Sequence, residues 1–546
     1  MTTPSGPLAD DSAPSPLPAA GAGLSARELQ GRAVSGTLWT VLHTVLAAPV
    51  AFAANAVVAR VLGPASYGSL AFLTLALGLA IAFTNLGVTG GVVQWGATAE
   101  ARGDRAGADD LLRRSLGYHL LVQLPLLVVA VLVLARDESW LIRGALLLSV
   151  ALPAAFSSTA LSLTIENRTA GAAKIAIASN LVIQASVVAT ALVSGTAAGV
   201  WATRSVAASV LLPLNLLLLD RVRRRVTLRV TLPTRMPSGF WRFCSLAWLA
   251  GLVLTLVFSR SEVLLLSWLS TPEAVGLFAL AYGVSAQITA PVDALLGPLA
   301  PAVAGLVGSH PGSAKAAFLR SVRLAALLAG GVTAVALPLF YVAIPLIYGP
   351  AFGAAAPLFL VLGAASCFQS ICNPVIVFMQ ARQRTDVILA LSTFALVVNV
   401  VVAVALIPPF GVWGATIANA AALAAFFVAG VRHELRVQAL SAKAFLAASA
   451  SWFVALAAAV PAVLLCSLAP SPAPVAAVLA AVVGAVCFVG GLRLTNTGVA
   501  AADAEGLRRV MPGRLDRPVR LVLRVLQQRQ VAVGEPAVTR DAREVD

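Results

Sequence analysis

The sequence predicts an all-α integral membrane protein with fourteen transmembrane helices. The 546 residues are 59% hydrophobic and only 11% charged, and the mean hydropathy is +0.91. A soluble domain has about 25% charged residues, so this chain has too few charges to cover a surface in water. Its apolar segments run unbroken for about 20 residues, the length a helix needs to cross a bilayer, without the alternation typical of a membrane β-barrel.

The fourteen predicted helices follow one another with short loops between them. They cover residues 34–59, 66–88, 115–135, 141–163, 170–194, 198–220, 243–268, 274–300, 322–347, 356–380, 387–407, 411–431, 443–466 and 472–492. Before them, residues 1–31 are rich in Pro, Ala, Ser and Gly and are predicted to form a disordered tail. The tail has no apolar core followed by a cleavage site, so no cleavable signal peptide is predicted.

The basic residues predict how the chain is oriented in the membrane. Most of the 38 lysines and arginines fall in the two tails and in every second loop, whereas Arg60, Arg136 and Arg143 fall in the other loops. The positive-inside rule then places both termini in the cytoplasm of a multi-pass plasma-membrane protein. The formal net charge of +15 is thereby explained by topology, and no nucleic-acid partner is expected.

Two repeated motifs divide the chain into lobes. The segments 64–71 and 272–279 both read P-x-x-x-G-x-[LF]-A, at an offset of 208 residues, and Gly-Val-Trp opens both the sixth and the twelfth span, at an offset of 212. Spans 1–6 and 7–12 therefore resemble two pseudo-symmetric copies of one six-helix lobe, an architecture typical of alternating-access transporters. The predicted units are the cytoplasmic tail 1–31, the N-lobe 32–220, a basic cytoplasmic linker 221–242, the C-lobe 243–431, two extra C-terminal helices in 432–492, and a basic cytoplasmic tail 493–546 with an amphipathic helix.

The sequence lacks the features of an enzyme. The predicted outer loops are short, and no D-x-D, H-E-x-x-H or Walker motif occurs. The five cysteines stand in apolar runs without metal-ligand spacing and are interpreted as small buried hydrophobic residues. Catalysis, a cofactor and a metal site are therefore not expected.

Ionisable residues inside predicted spans are costly to bury and are candidates for function. Arg204 and Arg260 are candidates for binding an anion, with structural pairing as the alternative. Glu262 and Asp293 are candidates for binding a coupling ion, with a plain salt bridge as the alternative. His43 is a third coupling candidate, with a buried structural histidine as its alternative.

Four segments resemble a known family. Residues 57–72 (VVARVLGPASYGSLAF), 261–282, 347–363 and 406–420 (LIPPFGVWGATIANA) are similar to oligosaccharide flippases of the Wzx type, polysaccharide-biosynthesis membrane proteins of the multidrug/oligosaccharidyl-lipid/polysaccharide exporter superfamily. The resemblance implies a V-shaped pair of lobes around a central cavity. It also implies that a polyprenyl-pyrophosphate-linked oligosaccharide moves from the inner to the outer leaflet, by alternating access and often with an ion gradient, for cell-surface polysaccharide synthesis.

The resemblance also implies where the substrate binds. In the related lipid II flippase, arginines on the first two spans line the cavity. Here only Arg60 falls on a comparable motif, whereas span one carries His43 and Asn55 and span two carries Asn85. Anion recognition is accordingly left to Arg60, Arg204 or Arg260. Asn55 and Asn85 are further cavity candidates because they are polar residues within spans, with hydrogen bonding between helices as the alternative.

The expected partners are a lipid-linked glycan and membrane lipids, together with the glycan polymerase and glycosyltransferases of the same pathway. Three other functions remain open at this point. A drug/cation antiporter of the same superfamily would need more acidic residues in its cavity. A membrane-embedded glycan polymerase is disfavoured by the short outer loops, and a non-transporting scaffold would have lost its cavity charges.

Overall fold

The computed structural model describes residues 26–166, 168–258, 261–296, 303, 313–468 and 473–498. Within these ranges all regular secondary structure is helical. The predicted amphipathic helix of the C-terminal tail lies outside the described residues, as does most of the predicted disordered tail.

Eighteen α-helices follow one another in the described part of the chain. They are α1 (Ala26–Asn85), α2 (Val88–Ala101), α3 (Arg105–Tyr118), α4 (Leu124–Leu134), α5 (Trp140–Ile165), α6 (Thr169–Ser194), α7 (Ala197–Val210), α8 (Arg221–Thr227), α9 (Phe240–Phe258), α10 (Ser261–Leu269), α11 (Pro272–Leu296), α12 (Ala314–Tyr348), α13 (Ala355–Ala381), α14 (Thr385–Phe410), α15 (Val412–Val437), α16 (Ala442–Ala448), α17 (Ala450–Leu468) and α18 (Ala473–Thr495). One π-helical turn, His119–Gln123, joins α3 to α4, and 3₁₀ turns cover Leu212–Leu218 and Pro350–Phe352.

Eleven described helices are long and apolar enough to cross a membrane, or twelve if the bent pair α16 and α17 counts as one span. The predicted fourteen crossings are therefore not confirmed, although the all-helical membrane architecture is. The difference has local causes. Predicted spans one and two form the single element α1, predicted span seven is split into α9 and α10, and predicted span thirteen is the pair α16 and α17, bent by 52°.

Gly63 explains why the first two predicted spans appear as one element. Its backbone has φ 69° and ψ 171°, which is not helical, and Pro64 follows it. A positive φ costs glycine nothing because it has no Cβ, and proline is well tolerated in the first turn of a helix. The chain therefore changes direction at Gly63 between two helical halves.

The same helix pairs contact each other in both halves of the chain. In the first half, α7 packs against α5 and α6, and in the second half α15 packs against α13 and α14. These are spans four, five and six and their counterparts ten, eleven and twelve. The two halves of the chain thus share this packing pattern. The two added helices α17 and α18 pack on α12.

The repeated P-x-x-x-G motifs contact each other where the two lobes meet. A Cβ on Gly68 would lie 2.0 Å from the carbonyl oxygen of Pro272, and a Cβ on Gly276 would lie 1.9 Å from that of Pro64. We call this end of the bundle, with the turns at Gly63, Ser270 and Gly349, the far end. Only glycine allows helices α1 and α11 to approach so closely there.

Ion pairs tie the helix ends together at the opposite end of the bundle, which we call the linker end because α8 and the segment 228–239 lie there. Arg223 of α8 is 8% exposed and contacts three carboxylates, those of Glu100 (2.5 Å), Asp109 (2.5 Å) and Glu166 (3.2 Å). This cluster joins the ends of α2 and α5 and the start of α3 to the linker.

A second ion pair holds the C-lobe at the same end. Arg382, after α13, lies 2.5 Å from the carboxylate of Glu434 near the end of α15. Arg382 follows α13 as Glu166 follows the corresponding helix α5, so the charges at these two helix ends have opposite signs, although Arg223 lies on α8 and Glu434 on α15.

Candidate functional site

Glu262 lies at the centre of a buried polar site in the C-lobe. It is in the first turn of α10, and its side chain is 0% exposed. Its Oε1 accepts hydrogen bonds from Nδ2 of Asn399 at 2.5 Å and from Nδ2 of Asn419 at 2.9 Å. Ser261 donates to Oδ1 of Asn399 at 3.4 Å. The site therefore joins α10 to α14 and α15 through one carboxylate.

The second oxygen of this carboxylate is unused. Oε2 of Glu262 is buried and has no hydrogen-bond partner among the described residues. A buried carboxylate without a paired cation is costly, and binding a proton or a small cation at the free oxygen would remove that cost. Among the described residues no three His, Cys, Asp or Glu side chains are grouped closely enough to hold a metal ion. Within the described residues, the free oxygen of Glu262 is therefore an open acceptor for a hydrogen bond, a proton or a cation.

Asp293 forms a second, more open carboxylate site in the same lobe. It lies on α11, and its Oδ1 accepts hydrogen bonds from Ser370 at 2.9 Å and from Asn373 at 3.0 Å. Both partners are on α13. The side chain of Asp293 is exposed, whereas that of Glu262 is fully buried.

The structure says less about the side-chain surroundings of three further site candidates. Arg204 is half-buried on α7, and within the described part of the chain its guanidinium forms no ion pair. Arg260 lies in the break between α9 and α10, outside the described residues, and the side chain of His43 on α1 is also outside them. A role in binding substrate or a coupling ion stays a prediction for all three.

The structure does not bring Arg60, Asn55 and Asn85 together. Arg60 is exposed at the far end, where its Nη1 donates to the carbonyl oxygen of Leu346 at 3.4 Å. Asn55 accepts a hydrogen bond from Tyr67 at 3.2 Å at that same end. Asn85 closes α1 and donates to Thr89 at 2.8 Å; it lies 22 residues beyond Gly63, about 33 Å along a helix.

Asn55 and Tyr67 belong instead to an aromatic cluster that joins the lobes at the far end. The rings of Phe52 and Tyr348 lie 6.0 Å apart, and those of Tyr67 and Phe352 lie 5.9 Å apart, both edge to face. The cluster packs α1 against the end of α12. Together with the contact of Gly68 and Gly276, it holds the two lobes against each other at this end.

Sequence reasoning missed several residues of these polar sites. Asn399 and Asn419 each stand alone in an apolar span, a signal that could have marked them as partners of Glu262. In the N-lobe, His119 hydrogen-bonds through Nδ1 to Gln123 within the π-helical turn, and its Nε2 is buried without a partner among the described residues. A π-helical turn often marks a functional position, but hydropathy does not reveal it.

Comparisons with known proteins bear on the fold and the family. The chain resembles the structure of the lipid II flippase MurJ in an inward closed conformation, with a TM-score of 0.57 and 12% identity over 83% of this chain and 98% of that one. It also resembles an inward-facing multidrug resistance transporter of the MATE family, from the MOP superfamily, with a TM-score of 0.52 and 17% identity over 73% of this chain and 98% of that one. Identities this low show a shared fold alone. No match was found among curated proteins.

The family is shown by sequence. The profile described as polysaccharide biosynthesis protein matches residues 57–357, more than half of the chain. The matched range begins in α1 and ends in α13, and it contains both P-x-x-x-G motifs and Glu262, but not Asn399 and Asn419. It confirms the resemblance on which the sequence prediction of family rests. The chain is a multi-pass membrane protein with the fold of MOP-superfamily transporters, and it belongs to the polysaccharide biosynthesis protein family.

Proposed function

We propose that the protein is a flippase that moves a polyprenyl-pyrophosphate-linked oligosaccharide from the inner to the outer leaflet of the plasma membrane. The observation that carries the proposal is the match to the polysaccharide biosynthesis family in a chain that shares its fold with a lipid flippase. The physical need is clear, because a sugar and a pyrophosphate cannot enter hydrocarbon without losing hydrogen bonds worth several kcal/mol. Two lobes that open alternately would replace those bonds while the polyprenyl tail stays in lipid.

The contacts between the lobes support this mechanism. Gly68 and Gly276 hold α1 and α11 together at the far end, and the aromatic cluster packs there as well. A substrate-sized opening at that end requires both contacts to separate. We propose that the lobes alternate between a state in which these contacts are closed and a state in which they are separated, with Arg204 and Arg260 binding the pyrophosphate.

We further propose that the coupling ion is a proton and that Glu262 binds it. Both amide N–H groups point at Oε1, so Oε2 is left as the acceptor for the positive charge. Asn399 and Asn419 lie on different helices, so a change of charge on Glu262 would act on α14 and α15 together. The exposed carboxylate of Asp293 provides a second candidate on α11.

The proposal is tested by flipping in proteoliposomes. Purified protein is reconstituted with a fluorescent polyprenyl-pyrophosphate disaccharide, and exposure of the sugar on the far leaflet is followed with and without an imposed proton gradient. The gradient should accelerate wild-type flipping, within the 5- to 150-fold range that typical coupling free energies give. Glu262→Gln keeps the hydrogen-bond acceptor but cannot take up a proton, so the variant should flip downhill with no acceleration by the gradient.

Glu273→Gln is the matched control, since Glu273 is an exposed acid in the first turn of α11. It should behave as wild type. Acceleration of Glu262→Gln equal to that of wild type would remove Glu262 from coupling. Uptake of an organic cation, with no movement of several lipid-linked sugars, would instead make the protein a drug/cation antiporter.

We also propose that the chain crosses the membrane fourteen times with both termini in the cytoplasm. The 60 residues of α1 would measure about 90 Å as one straight helix, three times the hydrocarbon thickness, and the change of direction at Gly63 divides it into two crossings. A reporter that fluoresces only in the cytoplasm should therefore fluoresce when fused to the C-terminus. A dark C-terminal fusion with a fluorescent N-terminal one would require an odd number of crossings.

A further inference from the structure

A cavity of about 640 Å³ lies at the linker end of the N-lobe, away from Glu262 and Asp293. One wall is the last two turns of α2, with Gln94, Trp95 and Thr98, and a second is the loop and first turn leading into α3. Arg235 and its neighbours, which lead from the linker into α9, form the third. The cavity is thus enclosed by N-lobe helices on two sides and by the segment connecting the lobes on the other.

Two guanidinium groups of this cavity are available to a ligand. Arg102 and Arg235 are both exposed, and within the described residues neither forms an ion pair. Of the acids in the lining, Asp110 is paired with Arg114 at 2.6 Å, and Asp104 accepts a hydrogen bond from the first turn of α3 at 2.8 Å but keeps its charge, so the lining carries one net positive charge. Guanidinium groups bind phosphate oxygens through paired N–H donors. The free positive charges therefore favour a phosphate-bearing ligand.

Trp95 adds a rigid apolar surface beside these charges. Its ring is fixed edge to face against Phe240 at 5.6 Å and Phe243 at 5.1 Å, the first residues of α9. Ligand sites typically combine such aromatic surfaces with a few polar groups that fix orientation. Here the amide of Gln94 and the hydroxyl of Thr98 lie in the same lining. An aromatic face next to amide, hydroxyl and guanidinium donors suits a sugar ring that carries a phosphate.

We infer that this cavity binds the sugar-phosphate headgroup of a lipid-linked glycan before it enters the space between the lobes. The inference rests on the proposed function and on the proposed orientation, in which the linker end faces the cytoplasm. A headgroup held here touches both the N-lobe and the segment that leads into the C-lobe. Ordinary anionic phospholipids also carry a phosphate group. The test therefore distinguishes binding of a lipid-linked glycan from binding of such a phospholipid.

The test measures binding of a fluorescent short-chain polyprenyl-pyrophosphate disaccharide to the full-length protein in phosphatidylcholine nanodiscs, by fluorescence anisotropy. The double variant Arg102→Gln, Arg235→Gln should raise the Kd about tenfold or more, equivalent to at least about 1.4 kcal/mol. The charge-matched control Arg225→Gln, Arg229→Gln removes two exposed linker arginines outside the cavity and should leave the Kd unchanged. Thermal unfolding of each variant verifies that it is folded.

Two further binding measurements identify the ligand. Trp95→Leu should weaken binding of the disaccharide probe but not of the polyprenyl pyrophosphate without sugar, and phosphatidylglycerol in the nanodisc should not displace the probe. Equal losses in both double variants, or displacement by phosphatidylglycerol, would overturn the inference. If wild type flips the lipid and the cavity variant binds and flips as wild type does, the inference fails while the proposed function stands. A wild-type protein that neither binds nor flips such lipids would remove the proposed function itself.

Discussion

Arg223→Met should destabilise the protein more than any other single substitution of a charged residue at the linker end, lowering the free energy of unfolding by about 3–5 kcal/mol. The guanidinium of Arg223 lies within 3.2 Å of three carboxylates. Removing it leaves three carboxylates close together, of which Glu166 keeps Arg168 at 3.0 Å and Glu100 keeps Arg105 at 3.8 Å, while Asp109 loses its arginine partner. The measurement is the Tm of the purified protein in detergent.

Arg225→Met provides the control on the same helix. Arg225 is exposed on α8, two residues from Arg223, and exposed charges contribute about 0–1 kcal/mol. Its Tm should therefore stay within a degree or two of wild type. Arg223→Lys should rescue only part of the loss, because one ammonium cannot reach three carboxylates as a planar guanidinium does. Equal Tm values for Arg223→Met and Arg225→Met would show that the cluster does not stabilise the fold.

Gly276→Val should abolish transport and lower the Tm, with a cost of about 1–3 kcal/mol or more. Its added Cβ would meet the backbone oxygen of Pro64 at 1.9 Å, and a backbone carbonyl cannot rotate away as a side chain can. Helices α1 and α11 would have to separate, so the state in which the lobes touch at the far end would be lost. Flipping rate in proteoliposomes and Tm are the two measurements.

The far-end contact offers a reciprocal variant and a clean control. Gly68→Val should have the same effect, because its Cβ would meet the oxygen of Pro272 at 2.0 Å. Gly78→Val lies ten residues further along α1, where a Cβ meets nothing within 4 Å, and should be close to neutral for both measurements. A normal flipping rate in Gly276→Val would mean that transport does not pass through the closed far-end contact.

Hydropathy predicts the helices of this protein well because each one must bury its own backbone hydrogen bonds in lipid. Hydropathy predicts changes in chain direction less well. The residues on both sides of the turn at Gly63 are apolar, so hydropathy does not mark the turn. The sequence shows the repeated P-x-x-x-G motif, but it does not show that the two copies contact each other. That contact depends on the close approach of α1 and α11, two helices more than 200 residues apart at the motif.

The buried sites were predicted only in part for a related reason. Glu262 stands out in the sequence because a lone acid in a span is costly. Its partners Asn399 and Asn419 are 137 and 157 residues away, and many apolar spans carry an asparagine for ordinary helix contacts. Likewise, polar residues in SRSE, 259–262, interrupt the predicted seventh span, and the described helices α9 and α10 end at Phe258 and begin at Ser261. The sequence does not show how these polar residues affect the helix.

The exchanged signs of the two linker-end ion pairs bear on how the chain assembles during synthesis. The N-lobe leaves the ribosome first, and its duplicate follows with helices of similar shape that could insert in the wrong lobe. If α13 took the place of α5, Arg382 would stand where Glu166 contacts Arg223 of α8, beside the carboxylates of Glu100 and Asp109. If α5 docked against α15, Glu166 would face Glu434. Two carboxylates would repel each other in this second arrangement, so the exchange of sign disfavours insertion of α5 into the second lobe.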